Sequence, residues 1–160
     1  MKVVTRRAVL GDEEVLAELN AVVHDLHVAN APGYFKPTVP GEVAARFRGL
    51  LETPAVRIWI ADAGGAAAGY VAVFLRERPE NLFCHPRRWL EINEIAVRPE
   101  RRRAGVARAL VELVLQAADA DEIAEVELST WVFNSEAQEA FRRLGFTPRV
   151  VRFGMVKHHS

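Results

Sequence analysis

The chain has 160 residues, half of them hydrophobic, and its 21 Lys and Arg residues balance 21 Asp and Glu residues to a net charge of zero. This length predicts a single domain, over residues 1–157, and the zero net charge argues against a general nucleic-acid binder. The one cysteine, Cys84, excludes an internal disulfide and predicts a cytoplasmic protein, while the lack of any apolar run near about 20 residues argues against a membrane span.

The first half of the chain predicts one strand, two helices and a β-hairpin. Apolar residues at helical spacing indicate the helices, and a proline-rich loop separates them. A glycine-containing turn joins the two strands of the hairpin. The predicted bounds are 3–9 for the strand, 12 to about 27 and 42–51 for the helices, and 56–63 and 67–75 for the hairpin.

The second half alternates strands and helices after a polar connection over 76–88. The predicted bounds are 89–97 for a strand, 106–118 for a helix, 126–130 for a strand, 135–144 for a helix that Gly145 ends, and 147–156 for a final strand or hairpin. The order β-α-α-β-β-β-α-β-α-β predicts an α/β fold of the mixed α+β kind. We expect a single mixed, mostly antiparallel sheet flanked by helices on both faces.

A basic loop joins the strand and the helix between Glu91 and Leu110. Five arginines and one glutamate lie between 98 and 108, and Gly105 precedes the helical pattern. Backbone N–H groups at a helix start bind anions, and arginines add contacts to phosphate oxygens. The loop lacks the Lys-Ser or Lys-Thr of a Walker A loop and the three glycines of a dinucleotide fingerprint. The sequence therefore predicts a different kind of phosphate site, with a solvated basic helix start as the alternative.

This loop resembles the R-x-x-G-x-[GA] pyrophosphate loop of the GNAT acetyltransferase superfamily. The similar residues are Arg102-Arg103-Ala104-Gly105-Val106-Ala107, after the strand end Ile95-Ala96-Val97-Arg98-Pro99. A second segment, Asn134-Ser135-Glu136-Ala137 followed by Phe141-Arg142-Arg143-Leu144-Gly145-Phe146, resembles the family's N-x-x-A…LGF segment. The two matches lie within residues 91–146, and the predicted order of elements is also that of the family.

The resemblance implies an acyltransferase that moves an acetyl group from acetyl-CoA to a primary amine by direct attack in a ternary complex. It implies no metal, a small-molecule or peptide amine as partner, and a homodimer. The implied cofactor-binding residues are Ile95, Ala96 and Val97 through their backbone, Arg102, Arg103, Ala104, Gly105, Val106, Ala107 and Arg108 in the loop, and Asn134 and Phe141 in the second segment. The alternatives are a helix N-cap for Asn134 and a core position for Phe141.

Glu91 and Glu94 are the candidate bases. They lie three apart on a predicted strand, so we expect them on opposite faces, with Glu91 on the face of Asn93, Ile95 and Val97. The resemblance favours Glu91, because glutamates at the matching position often act as the base in the family. The alternative for either residue is a surface carboxylate paired with an arginine.

Phe141 departs from the family pattern, since many members carry a tyrosine there as general acid and phenylalanine cannot donate a proton. The only tyrosines are Tyr34 and Tyr70, and the sequence places neither of them near the thiol.

The resemblance also implies that the first two helices and their loop shape the acceptor site. The candidates are His24, His27, Tyr34 and Phe35, with Asp25 beside them. His24 and His27 share a helix face, but no third metal ligand accompanies them in the sequence.

Three other functions remain open in the sequence. The first is the same fold using a longer acyl-CoA, and the second is a catalytically weak acyl-CoA-binding sensor or partner module. The third is nucleic-acid binding by the arginine cluster, which predicts strong salt dependence. Amine-dependent release of thiol separates an enzyme from a sensor.

Overall fold

The computed structural model describes residues 1–158; His159 and Ser160, for which the sequence predicts no role, lie outside the described residues. The chain forms two compact units, Met1–Ser129 and Thr130–Ser160. Whether residues 1–157 act as one domain stays a prediction. The elements, in chain order, are β1 Val3–Arg7, α1 Glu13–Asn30, α2 Pro40–Leu51, β2 Val56–Ala63, β3 Ala66–Arg78, β4 Arg87–Val97, a 3-10 turn Pro99–Arg101, α3 Val106–Ala120, β5 Val126–Leu128 and α4 Ser135–Arg143.

The first unit is built on one five-stranded sheet in the order β1-β2-β3-β4-β5. The first four strands pair antiparallel and β5 pairs parallel with β4. This confirms the predicted mixed, mostly antiparallel sheet. The parallel strands β4 and β5 are joined through α3, because a parallel pair needs a crossover that returns the chain in the same direction.

Helices cover both faces of the sheet. On one face, Leu16 and Leu19 of α1 and Phe47 of α2 are fully buried in a core with Ile60 and Tyr70 of the sheet. We call this the α1–α2 face. On the other face α3 packs against β2, β3 and β4 and buries Val106, Leu110, Val111, Val114 and Ala118. We call this the α3 face.

Several predicted bounds change in the structure. The β3–β4 hairpin is longer than predicted, so that the polar connection shrinks to residues 79–86, and β5 ends at Leu128. Asp12 is the N-cap of α1, but its side chain makes no cap hydrogen bond and is held by Arg6 at 2.8 and 2.9 Å. Both strands of the hairpin gain length because each supplies the other's backbone partners.

The predicted final strand over 147–156 is wrong for the described residues. No residue from 146 to 158 belongs to a helix or strand, and Val150, Phe153 and Met155 are exposed. A β-rich composition forms a strand only where the backbone finds a ladder partner. The strand ladders of the structure end at β5.

Within residues 1–158, no helix has both the length and the apolar composition that crossing a bilayer requires.

Candidate active site

A β-bulge in β4 brings the two candidate bases to the same face of the sheet. Opposite β3, Ile92 pairs with Val73 and Glu94 pairs with Ala72, so Asn93 is an extra residue in the ladder. Each bulge residue shifts the alternation of side chains by one. The prediction that Glu91 and Glu94 point to opposite faces is therefore wrong.

The same register corrects the neighbours predicted for Glu91. Glu91 pairs with Phe74 and Glu94 with Ala72, two β3 residues that pack with the α1–α2 core, whereas Ile95 pairs with Val71 on the other side of the sheet. Directly paired residues share a face. Glu91 thus shares its face with Glu94 rather than with Ile95.

Glu91 is half-buried and has one hydrogen-bonded oxygen. Its Oε1 accepts hydrogen bonds from Arg76 Nη2 and Asn93 Nδ2, both at 3.1 Å. Partial burial raises the pKa of Glu91, but the hydrogen bonds from Arg76 and Asn93 and the charge of Arg76 outweigh burial, so the pKa lies below its usual value. The carboxylate is therefore ionised at neutral pH, and no residue within 1–129 donates to its Oε2.

Glu94 is held at both oxygens. Arg46 of α2 lies 2.7 Å from Oε1, and the Tyr70 hydroxyl of β3 donates to Oε2 at 2.9 Å. The Tyr70 hydroxyl in turn accepts a hydrogen bond from Asn20 Nδ2 of α1 at 3.0 Å. Glu94 thus lies in a network that joins both helices of the α1–α2 face to the sheet.

Beyond the bulge, β4 parts from β5. The ladder between them consists of three pairs, from Leu90–Val126 to Ile92–Leu128, while β4 continues to Val97. The backbone of Ile95, Ala96 and Val97 therefore pairs with β3 on one side and has no β5 partner on the other. An extended ligand with amide groups could pair with such an edge.

The basic loop ends in two left-handed residues before α3. Arg103 has φ 60° and Gly105 has φ 81°, and α3 starts at Val106 with no side-chain cap. The N–H groups of Val106, Ala107 and Arg108 lie in the first turn, where a helix offers no acceptor. With Arg102, Arg103 and Arg108 exposed around them, these donors form an electropositive helix start.

Glycine at 105 is required for its backbone conformation. A Cβ built there meets no atom of the described chain within 4 Å, so crowding by the protein does not explain it. A φ of +81° lies in the left-handed region of backbone conformation, which residues other than glycine rarely adopt.

Arg98 and Arg101 make contacts within the first unit. Arg98 donates to the carbonyl of Ala67 at 2.9 Å and pairs with Glu18 at 3.3 Å. Arg101 Nη1 donates to Met1 Sδ at 3.1 Å. These contacts hold the end of β4 and the 3-10 turn in place, so both arginines have a structural role.

The second unit contains the other two predicted cofactor residues. Asn134 caps α4, because its side-chain oxygen accepts a hydrogen bond from Ala137 N at 3.2 Å. Phe141 packs edge-on against Phe146, with ring centroids 6.1 Å apart. The N-cap alternative for Asn134 thus occurs, whereas Phe141 is only partly buried, and contact of either residue with a cofactor stays a prediction.

The four acceptor-site candidates form one cluster at the end of α1. His27 stacks on Phe35 with centroids 4.8 Å apart, and Tyr34 meets the Phe35 ring edge-on at 4.9 Å. His24 Nε2 donates to the carbonyl of Lys36 at 2.7 Å. Burial and the nearby His24 lower the pKa of His27. Within the part of the chain that the structure describes, no three residues are arranged to hold a metal ion.

The residues that hold the two glutamates were not predicted from the sequence. Arg46 and Arg76 contact them directly and Asn20 reaches Glu94 through Tyr70, and nothing in a local pattern pairs residues so far apart in the chain. The bulge did leave a signal, since the apolar residues that face α3 from β4 are Leu90, Ile92, Ile95 and Val97. Their spacing of two, three and two breaks the period of a regular strand once, at Asn93.

A model of the acetyltransferase (GNAT) family matches residues 21–146 of the chain. Two curated proteins of Rattus norvegicus are similar over a shorter stretch. N-acetyltransferase family 8 member 3 is 31% identical over 88 residues and member 2 is 32% identical over 89 residues. Each alignment covers 55% of this chain and 37% of the relative, so the chain spans little more than a third of the length of these relatives.

Solved structures match nearly the whole chain. A mutant of the BH1408 protein from Bacillus halodurans has a TM-score of 0.92 at 22% identity, covering 97% of this chain and 99% of that one. The aminoglycoside N-acetyltransferase AAC(6')-Iy, solved with CoA, has a TM-score of 0.72 at 22% identity, covering 96% of this chain and 95% of that one. At such identities these likenesses establish the fold.

Proposed function

The chain belongs to the acetyltransferase (GNAT) family, and from this premise we propose that it transfers the acetyl group of acetyl-CoA to a primary amine by direct attack. The observation that carries the proposal lies in β4. Its bulge sets Glu91 and Glu94 on one face where the strand leaves β5 with an unpaired edge. A bound amine must lose a proton to a nearby base, and a carboxylate beside an edge that can hold an extended ligand is placed to take that proton.

The residues of the first unit fit acetyl-CoA as substrate. The first-turn amides of α3, together with Arg102, Arg103 and Arg108, supply donors and positive charge for a pyrophosphate. The edge of Ile95, Ala96 and Val97 supplies backbone partners for the pantetheine arm. In the reaction, the amine nitrogen forms a bond to the thioester carbonyl carbon, the carbon–sulfur bond breaks, and the thiolate leaves and takes up a proton.

Glu91 is the base in this proposal. An amine with a pKa near 10.4 must lose a proton before or during attack. Glu91 keeps an oxygen to which no residue of the first unit donates, whereas both oxygens of Glu94 are engaged. Because the pKa of Glu91 is lowered, we expect Glu91 to accept the proton, directly or through a water that it orients, and to release it readily to solvent.

The acceptor amine lies near the cluster of His24, His27, Tyr34 and Phe35 in this proposal. Its exposed Tyr34 and the imidazoles beside Phe35 offer stacking and hydrogen-bonding groups to a small molecule or peptide. AAC(6')-Iy has itself been solved with a bisubstrate analogue of CoA and acetylneamine. Aminoglycosides therefore belong in the first amine panel, beside polyamines and peptide amines.

Calorimetric titration with acetyl-CoA tests the cofactor site. We expect saturable one-site binding by the parent and its loss in Gly105→Glu, because a carboxylate repels pyrophosphate and the backbone is strained. Gly65→Glu is the matched control, since Gly65 also has φ +81° and no atom within 4 Å of a built Cβ. Absence of binding by the parent, or equal losses in both variants, would contradict the loop assignment.

Thiol release separates the enzyme from the alternative, a catalytically weak acyl-CoA-binding module. Phe141 gives that alternative its weight, because its ring packs on Phe146 and has no proton to donate. With acetyl-CoA bound, an enzyme releases thiol in proportion to added amine, and Glu91→Gln lowers kcat by about 10²–10⁴-fold. Binding of acetyl-CoA without amine-dependent release across the panel would favour the sensor.

A further inference from the structure

A buried tyrosine connects the α1–α2 face to the bulge in β4. Tyr70 is 1% exposed and packs edge-on against Phe47, with ring centroids 5.6 Å apart. Its hydroxyl accepts from Asn20 at 3.0 Å and donates to Glu94 at 2.9 Å, and Arg46 contacts the other Glu94 oxygen at 2.7 Å. We call Asn20, Arg46, Tyr70 and Glu94 the Tyr70 network.

The Tyr70 hydroxyl donates a hydrogen bond to Glu94 and keeps its proton, so we do not assign it as an acid for the leaving thiol. Burial first, and then the charge of Glu94, raise the pKa of Tyr70 well above its usual value. A buried hydroxyl in an apolar core is costly unless it is bonded, and here both its donor and an acceptor position are used. The network is thus satisfied and specific, which is how buried polar groups fix one arrangement of a core.

Glu94 is the first residue after the bulge, where the ladder is weakest. A bulge leaves one residue without a partner, and a shift of one residue would reverse the faces of the side chains that follow. Such a shift would turn Glu94 toward the α3 face, among Val71 and Val73, both essentially fully buried. The contacts of Glu94 with Tyr70 and Arg46 oppose that shift and so keep the strand after Asn93 in register.

We propose that Tyr70 is a positioning residue of the acetyl transfer, acting through Glu94 to hold the β4 bulge, which fixes the unpaired strand edge relative to Glu91. The inference rests on the proposed function for its catalytic consequence. The charged groups that face Glu94 are Arg46 from α2 and Glu91 from its own strand; β3 contributes Tyr70 and α1 the uncharged Asn20. The network therefore reaches the reaction through geometry and makes no contact with the pyrophosphate loop.

The test is Tyr70→Phe, which removes one oxygen and leaves the ring against Phe47. We expect kcat to fall roughly 10- to 100-fold, since a displacement of about 1 Å near reacting groups costs up to about 10²-fold. The KM for acetyl-CoA stays within two-fold, because the loop and the start of α3 are untouched. A fall in kcat of less than two-fold, or a loss confined to KM, would overturn the inference.

A double-mutant cycle shows whether Tyr70 acts through Glu94. If it does, Tyr70→Phe combined with Glu94→Gln has the same kcat as Glu94→Gln alone. Losses that multiply would mean that the two residues act separately. Asp121→Asn is the control for lost stability, because it weakens the Arg57–Asp121 ion pair at the end of α3 and leaves kcat within two-fold.

Amide hydrogen exchange gives a readout that needs no activity. In Tyr70→Phe we expect faster exchange confined to residues 92–96, which the Asp121→Asn control does not show. Unchanged exchange at 92–96 would overturn the inference even in an active enzyme. If the parent releases no thiol with any amine, the proposed function fails, and the exchange experiment still decides whether Tyr70 holds the bulge.

Discussion

At the residue scale, Glu91 forms an ion pair with an arginine of the neighbouring strand. Arg76 Nη2 donates to Glu91 Oε1 at 3.1 Å, and its guanidinium also lies 4.8 Å from the Phe74 ring. Arg76 belongs to the hairpin strand β3 and Glu91 to its partner β4, so the contact depends on the register of the hairpin. The pKa of the proposed base therefore depends in part on a cross-strand pair.

Arg76→Gln is expected to move the acid limb of kcat/KM to higher pH. A hydrogen bond to the ionised carboxylate and a nearby positive charge both lower its pKa, so their removal raises the pKa of Glu91. The limb reports groups that must be ionised in the free enzyme, and rate profiles between pH 4 and 8 measure it. The matched control is Arg88→Gln, which removes an arginine that pairs with Glu77 instead.

The same substitution has a stability counterpart. A carboxyl whose pKa is lowered by folding stabilises the fold above its unfolded pKa, of about 4.3, and loses that contribution as pH falls through the folded pKa. The difference in unfolding free energy between parent and Arg76→Gln is therefore present at neutral pH and shrinks in acid. A constant difference across that range would show that Arg76 acts by packing on Phe74 and not through Glu91.

Residue types alone identified the candidate carboxylates but not their partners. Glu91 and Glu94 were predicted because they are acids in a strand that resembles a known motif. Arg46 meets Glu94 from a helix almost fifty residues earlier in the chain, and only tertiary packing brings the two together. Long-range pairs of this kind follow from the fold, so they become visible only once the fold is known.

At the element scale, Gly69 lets α3 approach the hairpin. A Cβ built there would lie 2.6 Å from the carbonyl oxygen of Ala96 and 3.0 Å from Val106 Cγ1. Gly69 pairs with Val97 at the end of β4, and Val106 is the first residue of α3. The glycine therefore fixes the distance between the unpaired strand edge and the helix start proposed to bind pyrophosphate.

Gly69→Ala is expected to destabilise the fold by about 1–3 kcal/mol, because the added methyl group forces backbone or side chains apart. Thermal unfolding measures this, with a fall of about 2–4 °C in Tm for each kcal/mol in a protein of this size. Gly49→Ala is the opposite control. Gly49 lies inside α2 with open space at its Cβ, so alanine there stabilises by up to about 1 kcal/mol. Equal effects at both sites would contradict the close contact.

The elements themselves were largely predictable, and the exceptions have physical reasons. The helical spacing of apolar residues predicted α1 and α3, and the glycine-containing turn predicted the β2–β3 hairpin, because these patterns are local in the sequence. The prediction that Glu94 and Glu91 point to opposite faces was wrong because it assumed that side chains alternate strictly across a bulge. The strand over 147–156 was wrong because composition cannot supply a ladder partner.

At the scale of the whole molecule, a zero net charge is combined with an uneven distribution. Arg102, Arg103 and Arg108 are exposed at the start of α3, while the residues after its end are acidic. The charges add to the polarity of the helix itself, whose N-terminus is positive. A small polyanion is therefore attracted to one end of α3, although the net charge of the whole chain is zero.

Binding of such a ligand to the folded state alone must stabilise the whole fold. At a concentration one hundred times its Kd, acetyl-CoA is expected to add about 2.7 kcal/mol to the unfolding free energy, or roughly 5–10 °C in Tm. A thermal scan over a series of acetyl-CoA concentrations measures this and yields Kd without an enzymatic assay. Gly105→Glu should unfold at a Tm that acetyl-CoA does not change, whereas Gly65→Glu should respond like the parent, because only position 105 lies at the start of α3. A ligand-induced rise of equal size in both variants would place the binding site away from this loop and leave the arginines as a surface feature.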